Sequence, residues 1–187
     1  MSVRVPLVPK TEIRPEQQAL SDAFSKRVSQ HYSIFKTTRD DGALLGPWAV
    51  WLQVPKTGEA IRQLIETIEV MPGLKTSTVQ AIILATGARF NAAYELYAHS
   101  SVAATTGLSD SQIATLSVGG SPTDLDEEAK LAVEVTHGLL RGGVLPGPLF
   151  KRAINVLGQD GFDHLIYIVS HYCLVSISLN AYDVTAE

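Results

Sequence analysis

Cysteine is nearly absent from this sequence of 187 residues, which contains only Cys173. A single cysteine excludes an internal disulfide and any Cys-x-x-Cys metal or redox motif. The residues around it, in the segment YCLVSISL, are mostly apolar, and this setting is typical of a buried, unreactive thiol. The cysteine content constrains the redox compartment only weakly.

Charged residues are scarce as well. They make up 18% of the chain, whereas soluble domains contain about 25%, and hydrophobic residues make up 45%. We therefore expect that some apolar surface forms a subunit interface and that the protein is a homo-oligomer. The formal net charge is -4 and no run of Lys or Arg occurs, so we expect neither a nucleic-acid partner nor a membrane partner.

Long apolar runs are also missing. No stretch approaches the ~18 uninterrupted apolar residues of a membrane-spanning helix, and the N-terminal segment has prolines and charges where a signal peptide needs an apolar core. We therefore expect a cytoplasmic protein. The length fits one domain over residues 1–187, in which residues 1–14 form an extended arm because Pro6 and Pro9 exclude a helix interior.

Several motifs that would indicate a cofactor are absent. The glycine-containing segments SVGGSP and RGGVLPG lack the Lys-Ser/Thr or the strand context of a nucleotide-binding loop, and no Gly-x-Ser-x-Gly nucleophile elbow occurs. His164 and His171 share a helix face but lie ~10 Å apart along its axis, too far to bind one metal directly. We therefore expect no cofactor and no metal.

The sequence is rich in helical periodicity. Apolar residues recur at the spacing of amphipathic helices, and prolines, glycines and capping residues mark where these helices begin and end. Together these signals predict an all-α bundle of about seven to eight helices. The predicted helices are Pro15 to about Tyr32, Pro47 to Pro55, about Lys56 to Met71, Lys75 to Thr106, a short one after Ser109, one from the Asp124 to Glu127 segment to Gly142, Pro148 to Gly158, and about Asp160 to Tyr182.

Glu95 and His99 lie four residues apart in the Ala-rich part of the long predicted helix. Helical spacing places the two side chains on one face, one turn apart. In partly buried surroundings a carboxylate and an imidazole form an acid/base pair, because burial and the neighbouring charge can move either pKa toward neutrality. The spacing equally fits an ordinary helix-stabilising pair worth ~0.2–0.5 kcal/mol.

Four further residues are candidates for binding a substrate. Asn91 shares the helix stripe of Glu95 and His99, beside alanines that leave room either for a ligand or for close helix packing. Tyr94 is placed to reach the rim of such a pocket. Trp48 is either a core residue or part of a substrate-facing wall, and His171 is either a second pocket residue or a core histidine bonded to a carbonyl.

The segment VQAIILATGARFNAAYELYAHSSVAATTGLSDSQI, together with DEEAKLAVEVTHGLL and LVSISLNAYDV, resembles the carboxymuconolactone decarboxylase family of the AhpD-like superfamily. The opening PLVPKTEIRPEQQAL and the element GPWAVWLQVP also match longer family members, so the resemblance covers nearly the whole chain. It implies an all-α, AhpD-like fold of paired helical hairpins that assembles as dimers, trimers or hexamers.

The resemblance also distinguishes branches of the family. Its peroxidase-type members have a Cys-x-x-Cys motif followed four residues later by His, and the matching positions here are Ala92, Glu95 and His99. Both thiols are absent, which excludes disulfide-based peroxide reduction by that route. Those members also use a glutamate where this chain has Gln80, which cannot transfer protons. The decarboxylase-like branch has Glu and His at the positions of Glu95 and His99.

These observations lead to one main hypothesis and two alternatives. The main hypothesis is a cofactor-independent lyase or isomerase that acts through an enolate-like intermediate on a small cyclic carboxylic acid, lactone or ketone. His99 would be the general acid/base, Glu95 would orient it or share the proton transfer, and Asn91, Tyr94 or His171 would hydrogen-bond the enolate. The alternatives are a non-catalytic ligand-binding or scaffolding protein and thiol redox chemistry centred on Cys173.

Overall fold

The protein is described by a computed structural model that covers residues 4–186. Within this range it contains eight α-helices, one short 3₁₀ turn at Lys10–Glu12 and no β-strand, which confirms the predicted all-α bundle. Thr38 and Leu44 form an isolated antiparallel bridge in the loop after the first helix. The helices are α1 (Pro15–His31), α2 (Pro47–Leu52), α3 (Pro55–Glu69), α4 (Thr76–Phe90), α5 (Ala93–Ala104), α6 (Asp110–Ser117), α7 (Glu127–Leu140) and α8 (Gly147–Ala181).

Local capping explains several of the helix boundaries. Ser109 and Gln112 form a reciprocal capping box at the start of α6, and the Asp126 carboxylate accepts a hydrogen bond from the Ala129 backbone N–H at 2.8 Å at the start of α7. These contacts satisfy backbone donors that the first helical turn leaves unpaired. Pro15 occupies the first turn of α1, where its missing N–H costs nothing.

The predicted helix from Lys75 to Thr106 is wrong in one respect, because the structure divides it into α4 and α5. Asn91 adopts the left-handed conformation, with φ 51° and ψ 42°, and ends α4. The carbonyl of Phe90 then accepts a hydrogen bond from the Asn180 side chain at 2.6 Å. Asparagine tolerates the left-handed region better than most residues, and this break turns α5 away from α4.

The predicted break at Gly158 is confirmed. Gly158 has φ 69° and ψ 177° and interrupts α8, a conformation that glycine adopts without steric penalty. By length and composition alone, α8 could cross a membrane. This is weak evidence for a membrane span, because half of the most apolar window of α8 is buried inside the protein, as in a core helix.

Helix α4 is the centre of the bundle and packs against α5, α6, α7 and α8. A second group of contacts joins α1, α2 and α3 to one another, and α2 and α3 also pack against α8. Of the predicted arm at residues 1–14, residues 1–3 lie outside the described part of the chain. Arg4 and Val5 pack on the same chain, since Val5 is buried and the Arg4 N–H donates to the Tyr182 carbonyl at 3.2 Å.

Candidate active site

A cavity of about 50 Å³ lies where α2, α5 and the second half of α8 meet. We call it the aromatic cavity, because its walls are mostly aromatic and aliphatic, as in small-molecule sites. A few polar side chains also reach it. Its lining residues are Tyr32, Phe35, Pro47, Trp48, Trp51, Ile65, Tyr94, Glu95, Ala98, His99, His171, Tyr172, Val175 and Leu179.

Glu95 lines this cavity with a carboxyl group that is almost completely buried. Its exposed fraction is 2%, and its carboxyl lies between Gly87 of α4 and Ser176 of α8. A Cβ at Gly87 would approach Oε1 to 3.2 Å, so the glycine makes room for the carboxyl. Ser176 Oγ donates to Oε2 at 3.1 Å, while Oε1 has no hydrogen-bond partner.

Burial controls the protonation of Glu95. Desolvation raises the pKa of this carboxyl well above its ordinary value, and the hydrogen bond from Ser176 opposes the shift. A carboxylate in such a site loses its hydration without gaining a cationic partner. Burial therefore favours the protonated, uncharged acid, and this form can donate a hydrogen bond.

His99 is held by a residue on a different helix. Its Nδ1 lies 2.9 Å from Gln80 Oε1 of α4. Because this oxygen can only accept, the Nδ1 carries the proton and Nε2 keeps the lone pair. Desolvation, with a smaller contribution from His171, lowers the pKa of His99 to about 3. The imidazole is thus uncharged at neutral pH, with one basic nitrogen.

The expectation that Glu95 orients His99 needs correction. Both side chains line the cavity, one helical turn apart on α5, but Glu95 bonds to Ser176 and His99 bonds to Gln80. Gln80, identified in the sequence only as a departure from the family pattern, is the residue that positions His99. The sequence signal was present, since Gln80 is the position that the resemblance matched to a glutamate.

Two further residues that line the cavity, His171 and Trp51, carry buried polar atoms. Each has an exposed fraction of 5%, and neither His171 Nδ1 nor Trp51 Nε1 has a hydrogen-bond partner. Desolvation, followed by the charge of Arg27, lowers the pKa of His171 to about 4. His171 therefore lines the cavity, which is one of the two alternatives predicted for it, and Trp51 lines it as well.

Trp48 and Tyr94 also line the cavity. Trp48 serves as both core and wall, because its ring packs on Phe24 at 5.1 Å and on Trp51 at 5.3 Å between centroids. The Tyr94 hydroxyl donates to the Lys36 carbonyl at 3.3 Å. Its ring fills the space beside Gly46, whose φ is 62° and where a Cβ would lie 2.2 Å from Tyr94 Cε1.

Asn91 is the one predicted binding residue that the structure does not bring to this site. It is exposed, ends α4 in the left-handed conformation and is not among the residues that line the cavity. The stripe that joined it to Glu95 assumed a continuous helix, and the break at Asn91 turns its side chain out of that register.

A wider cleft of about 320 Å³ lies on the other side of His99. Tyr32, His99 and Tyr172 border both spaces, and the ring of Tyr172 meets the His99 ring edge to face at 5.0 Å. Gln80 lines the cleft and not the cavity. The other residues of the cleft are His31, Ile68, Glu69, Met71, Leu74, Thr76, Val79, Ile83, Val102, His164 and Ile168.

An ion pair stands at the boundary of the two spaces. Arg27, with 9% of its side chain exposed, pairs with Glu69, and its Nη2 also lies 3.3 Å from the Tyr32 hydroxyl. Tyr32 Oη in turn lies 3.3 Å from Glu69 Oε1. This arrangement holds the Tyr32 ring between cavity and cleft.

Cys173 lies outside both spaces and is partly buried. Desolvation raises the pKa of its thiol, which disfavours the reactive thiolate. Among residues 4–186, no group of three or more His, Cys, Asp or Glu side chains is arranged to hold a metal ion. The expected absence of metals and cofactors stays a prediction.

The architecture is similar to that of the debrominase Bmp8. The apo crystal structure of Bmp8 matches with a TM-score of 0.73 at 13% sequence identity, covering 100% of this chain and 94% of that one. A cysteine-to-alanine variant of Bmp8 in complex with 2,3,4-tribromopyrrole matches with a TM-score of 0.72 at 14% identity, covering 100% and 93%. At this identity the similarity shows the fold alone.

Comparisons with protein-family models and with curated proteins give no match. The resemblance to the carboxymuconolactone decarboxylase family therefore still rests on the sequence segments that carry it.

Proposed function

We propose that this protein is an enzyme that moves protons on a small, uncharged ring compound, as a cofactor-independent lyase or isomerase acting through an enolate-like intermediate. One observation carries the proposal. Glu95 and His99 line the same aromatic cavity, and burial favours the uncharged form of both. A protonated carboxyl beside a neutral imidazole combines a proton donor with a proton acceptor.

His99 is the general base in this proposal. Gln80 fixes the proton on Nδ1, so that Nε2 can accept a proton from a carbon next to a carbonyl group. An imidazole with a pKa of about 3 is a weak base. Negative charge that develops on the substrate beside it favours the imidazolium and raises that pKa as the reaction proceeds.

Glu95 is the acid partner. Its protonated carboxyl can donate a hydrogen bond to the substrate oxygen, on which charge develops in an enolate. The surroundings of Glu95 exclude bulk water, which strengthens such an interaction. The order of events is proton removal by His99, charge development on the oxygen, and return of a proton to a different atom or loss of a leaving group.

The charge of the lining favours particular substrates. No Lys or Arg lines the aromatic cavity among residues 4–186, and a carboxylate moved into an apolar site without a cation loses its hydration uncompensated. Lactones and enolisable ketones therefore fit this site better than the cyclic carboxylic acids also considered from the sequence. The tribromopyrrole complex of Bmp8 is a precedent, within a similar fold, for a small ring ligand.

A non-catalytic binding protein is the second candidate. The observation that favours it is Gln80, because an amide cannot pass on a proton that His99 has taken up. Such a protein would bind the same small ring compounds and leave them unchanged.

Hydrogen exchange in D₂O separates the two candidates. Small cyclic ketones and lactones are incubated with the protein, and loss of the proton signal next to the carbonyl is followed by NMR. An enzyme that forms an enolate accelerates this exchange even when its natural product is unknown. Binding without accelerated exchange across the panel would contradict the proposed enzyme and support the binding protein.

We also propose that the protein forms a homo-oligomer through α8. Tyr167, Leu174 and Ile177 expose 52%, 37% and 57% of their surface and recur at helical spacing on one face. Exposed apolar residues that line up in this way are typical of an interface. Sedimentation at micromolar concentration should give a multiple of the 20.2 kDa chain mass, and a stable monomer would contradict this proposal.

A further inference from the structure

A groove of about 240 Å³ shares no lining residue with the aromatic cavity or the cleft. Among residues 4–186, three basic side chains line it and no carboxylate does. We call it the basic groove, and its lining residues are Arg89, Gly119, His137, Leu140 and Arg141. The formal net charge of the chain is -4, so this local excess of positive charge runs against the overall balance.

The two arginines of the basic groove differ from all the others in having no acidic partner. The chain contains eight arginines, and six of them form an ion pair with an Asp or Glu. Within residues 4–186, Arg89 and Arg141 form none, and both line this groove. Each guanidinium carries five N–H donors, which are therefore available to an anion that enters the groove.

The basic residues come from the ends of two helices. Arg89 lies in the last turn of α4, His137 lies in the last turn of α7, and Arg141 follows α7 directly. Positive charges at these positions complement the helix dipoles, which explains why a basic residue stands at each end. The dipoles do not explain why both arginines without an acidic partner lie in one concave place.

His137 lies beside Arg141 and is half-buried. Desolvation, followed by the charge of Arg141, lowers the pKa of His137. A Cβ at Gly138 would lie 4.0 Å from Arg141 Nη2, so the guanidinium lies over α7 next to the histidine. An anion between these groups would offset their repulsion and favour the imidazolium form.

Both glycine-containing segments of the sequence analysis meet at the basic groove. Gly119 belongs to SVGGSP and Arg141 begins RGGVLPG. Gly119 has φ 79°, and no atom lies within 4 Å of a hypothetical Cβ there, so this position leaves space. Its N–H already donates to the Leu116 carbonyl at 2.9 Å. Side chains, and not the backbone amide of Gly119, would therefore supply the donors for an anion.

We infer that the basic groove binds a small phosphate monoester through Arg89 and Arg141. A planar guanidinium matches two phosphate oxygens at once, and the dianion matches the two positive charges. Leu140 adds an apolar contact for the organic part of the ligand. This inference is independent of the proposed proton-transfer chemistry, because the basic groove and the aromatic cavity share no residue.

NMR titration of the histidine rings tests the inference. The probe is phenyl phosphate at constant ionic strength, since salt screens exposed charges, and His137→Asn assigns the His137 resonance. Phenyl phosphate should shift this resonance in a saturable manner, inorganic phosphate should do so more weakly, and benzyl alcohol should not. An unmoved resonance up to about 10 mM phenyl phosphate, or equal affinity for inorganic phosphate, would overturn the monoester site.

Matched variants locate the site. Arg89→Gln and Arg141→Gln should each weaken phenyl phosphate binding about three- to tenfold. Arg152→Gln removes the same charge from an exposed arginine that pairs with Glu134, and its affinity should stay within about twofold of wild type. Equal weakening in all three variants would show a general charge effect and overturn the inference.

Two further results would also contradict it. If Arg89→Gln and Arg141→Gln lowered thermal stability and left phenyl phosphate binding unchanged, the arginines would only stabilise helix ends. If a hexaglutamate peptide bound more tightly than phenyl phosphate through the same arginines, the groove would be a contact for an acidic protein and not a small-molecule site.

Discussion

The aromatic cavity and the cleft, on either side of His99, rank differently as ligand sites when they are compared by volume and by chemistry. The cleft measures about 320 Å³ and the aromatic cavity only about 50 Å³, so volume favours the cleft as a ligand site. The cavity is lined by three residues, Trp51, Glu95 and His171, that each carry a buried polar atom without a partner, so chemistry favours the cavity. Groups that the fold desolvates and leaves unpaired indicate a reactive site more specifically than open space does.

His99 connects the two regions and serves a different purpose in each. On the cleft side, Gln80 Oε1 accepts a hydrogen bond from the Nδ1–H of His99 and fixes the tautomer. Nε2 keeps the lone pair that the proposed mechanism uses. Gln80, which lines the cleft, thus acts as a hydrogen-bond partner that orients the proposed catalytic histidine.

The largest expected effect on the exchange rate comes from replacing His99, which lines both spaces. Replacing His31, which lines only the cleft, is the comparison. His99→Ala removes the proposed base and should slow exchange next to the carbonyl by ~10²–10⁴. His31→Asn, at an exposed residue of the cleft, is the matched control and should stay within about twofold of wild type. A wild-type rate in His99→Ala would end the assignment of the cavity as the active site.

The next prediction uses the burial of His171 in the cavity. Its pKa is lowered to about 4 in the folded protein, against an ordinary value of about 6.5. Between these values the unfolded chain binds more protons, so the stability that the neutral histidine provides above pH 6.5 is lost as the pH falls toward 4. We expect a loss of about 2–3 kcal/mol from this residue between pH 7 and pH 4.5.

Urea unfolding at the two pH values measures this loss. His171→Gln should reduce the pH dependence of the free energy of unfolding by that amount. His31→Gln, at an exposed residue, controls for the removal of a histidine. If both variants reduced the pH dependence equally, the special burial of His171 would be refuted.

A smaller effect is expected on the cleft side of His99. Gln80→Leu keeps the approximate volume but removes the acceptor of Nδ1–H, which should lower the exchange rate about tenfold through misorientation of the base. Gln80→Glu should place a carboxylate beside the imidazole and raise the pKa of His99, which NMR titration of the ring detects. A Gln80→Leu enzyme with full activity and an unchanged tautomer would show that Gln80 does not position His99.

The smallest effect concerns the thiol that lies outside both spaces. Cys173→Ser should leave the exchange rate within about twofold of wild type, because the partly buried side chain faces neither cavity nor cleft. A hydroxyl in place of the thiol should cost ~1–3 kcal/mol of stability at most. Loss of exchange in a folded variant would restore the thiol hypothesis.

The sequence predicted the helices well because their signals are local. Pro15, the Ser109 capping box and Gly158 each act within a turn or two of their own position, and the structure has all three features. The division at Asn91 was missed, because an Ala-rich segment without Gly or Pro reads as a continuous helix. Asparagine at a left-handed helix end was the available signal.

The site was predictable only to the extent that it lies on one helix. Glu95 and His99 share α5, so their spacing placed them together. Their hydrogen-bond partners come from α8 and α4, at Ser176 and Gln80, and such pairs form through tertiary packing that no local pattern encodes. The same holds for Trp51, whose unpaired nitrogen is a property of the packed cavity and not of the sequence around it.

Gly46 limits how the aromatic cavity can be redesigned for larger ligands. Its positive φ and the 2.2 Å approach of a hypothetical Cβ to Tyr94 tie the loop before α2 to the ring that forms one wall. A larger residue at position 46 would displace Tyr94, whereas a smaller residue at position 94 would open the wall toward that loop. To enlarge the cavity for bulkier rings, Tyr94 should therefore be replaced by a smaller residue first. Gly46 should be varied only afterwards, in variants that already carry the smaller residue at position 94.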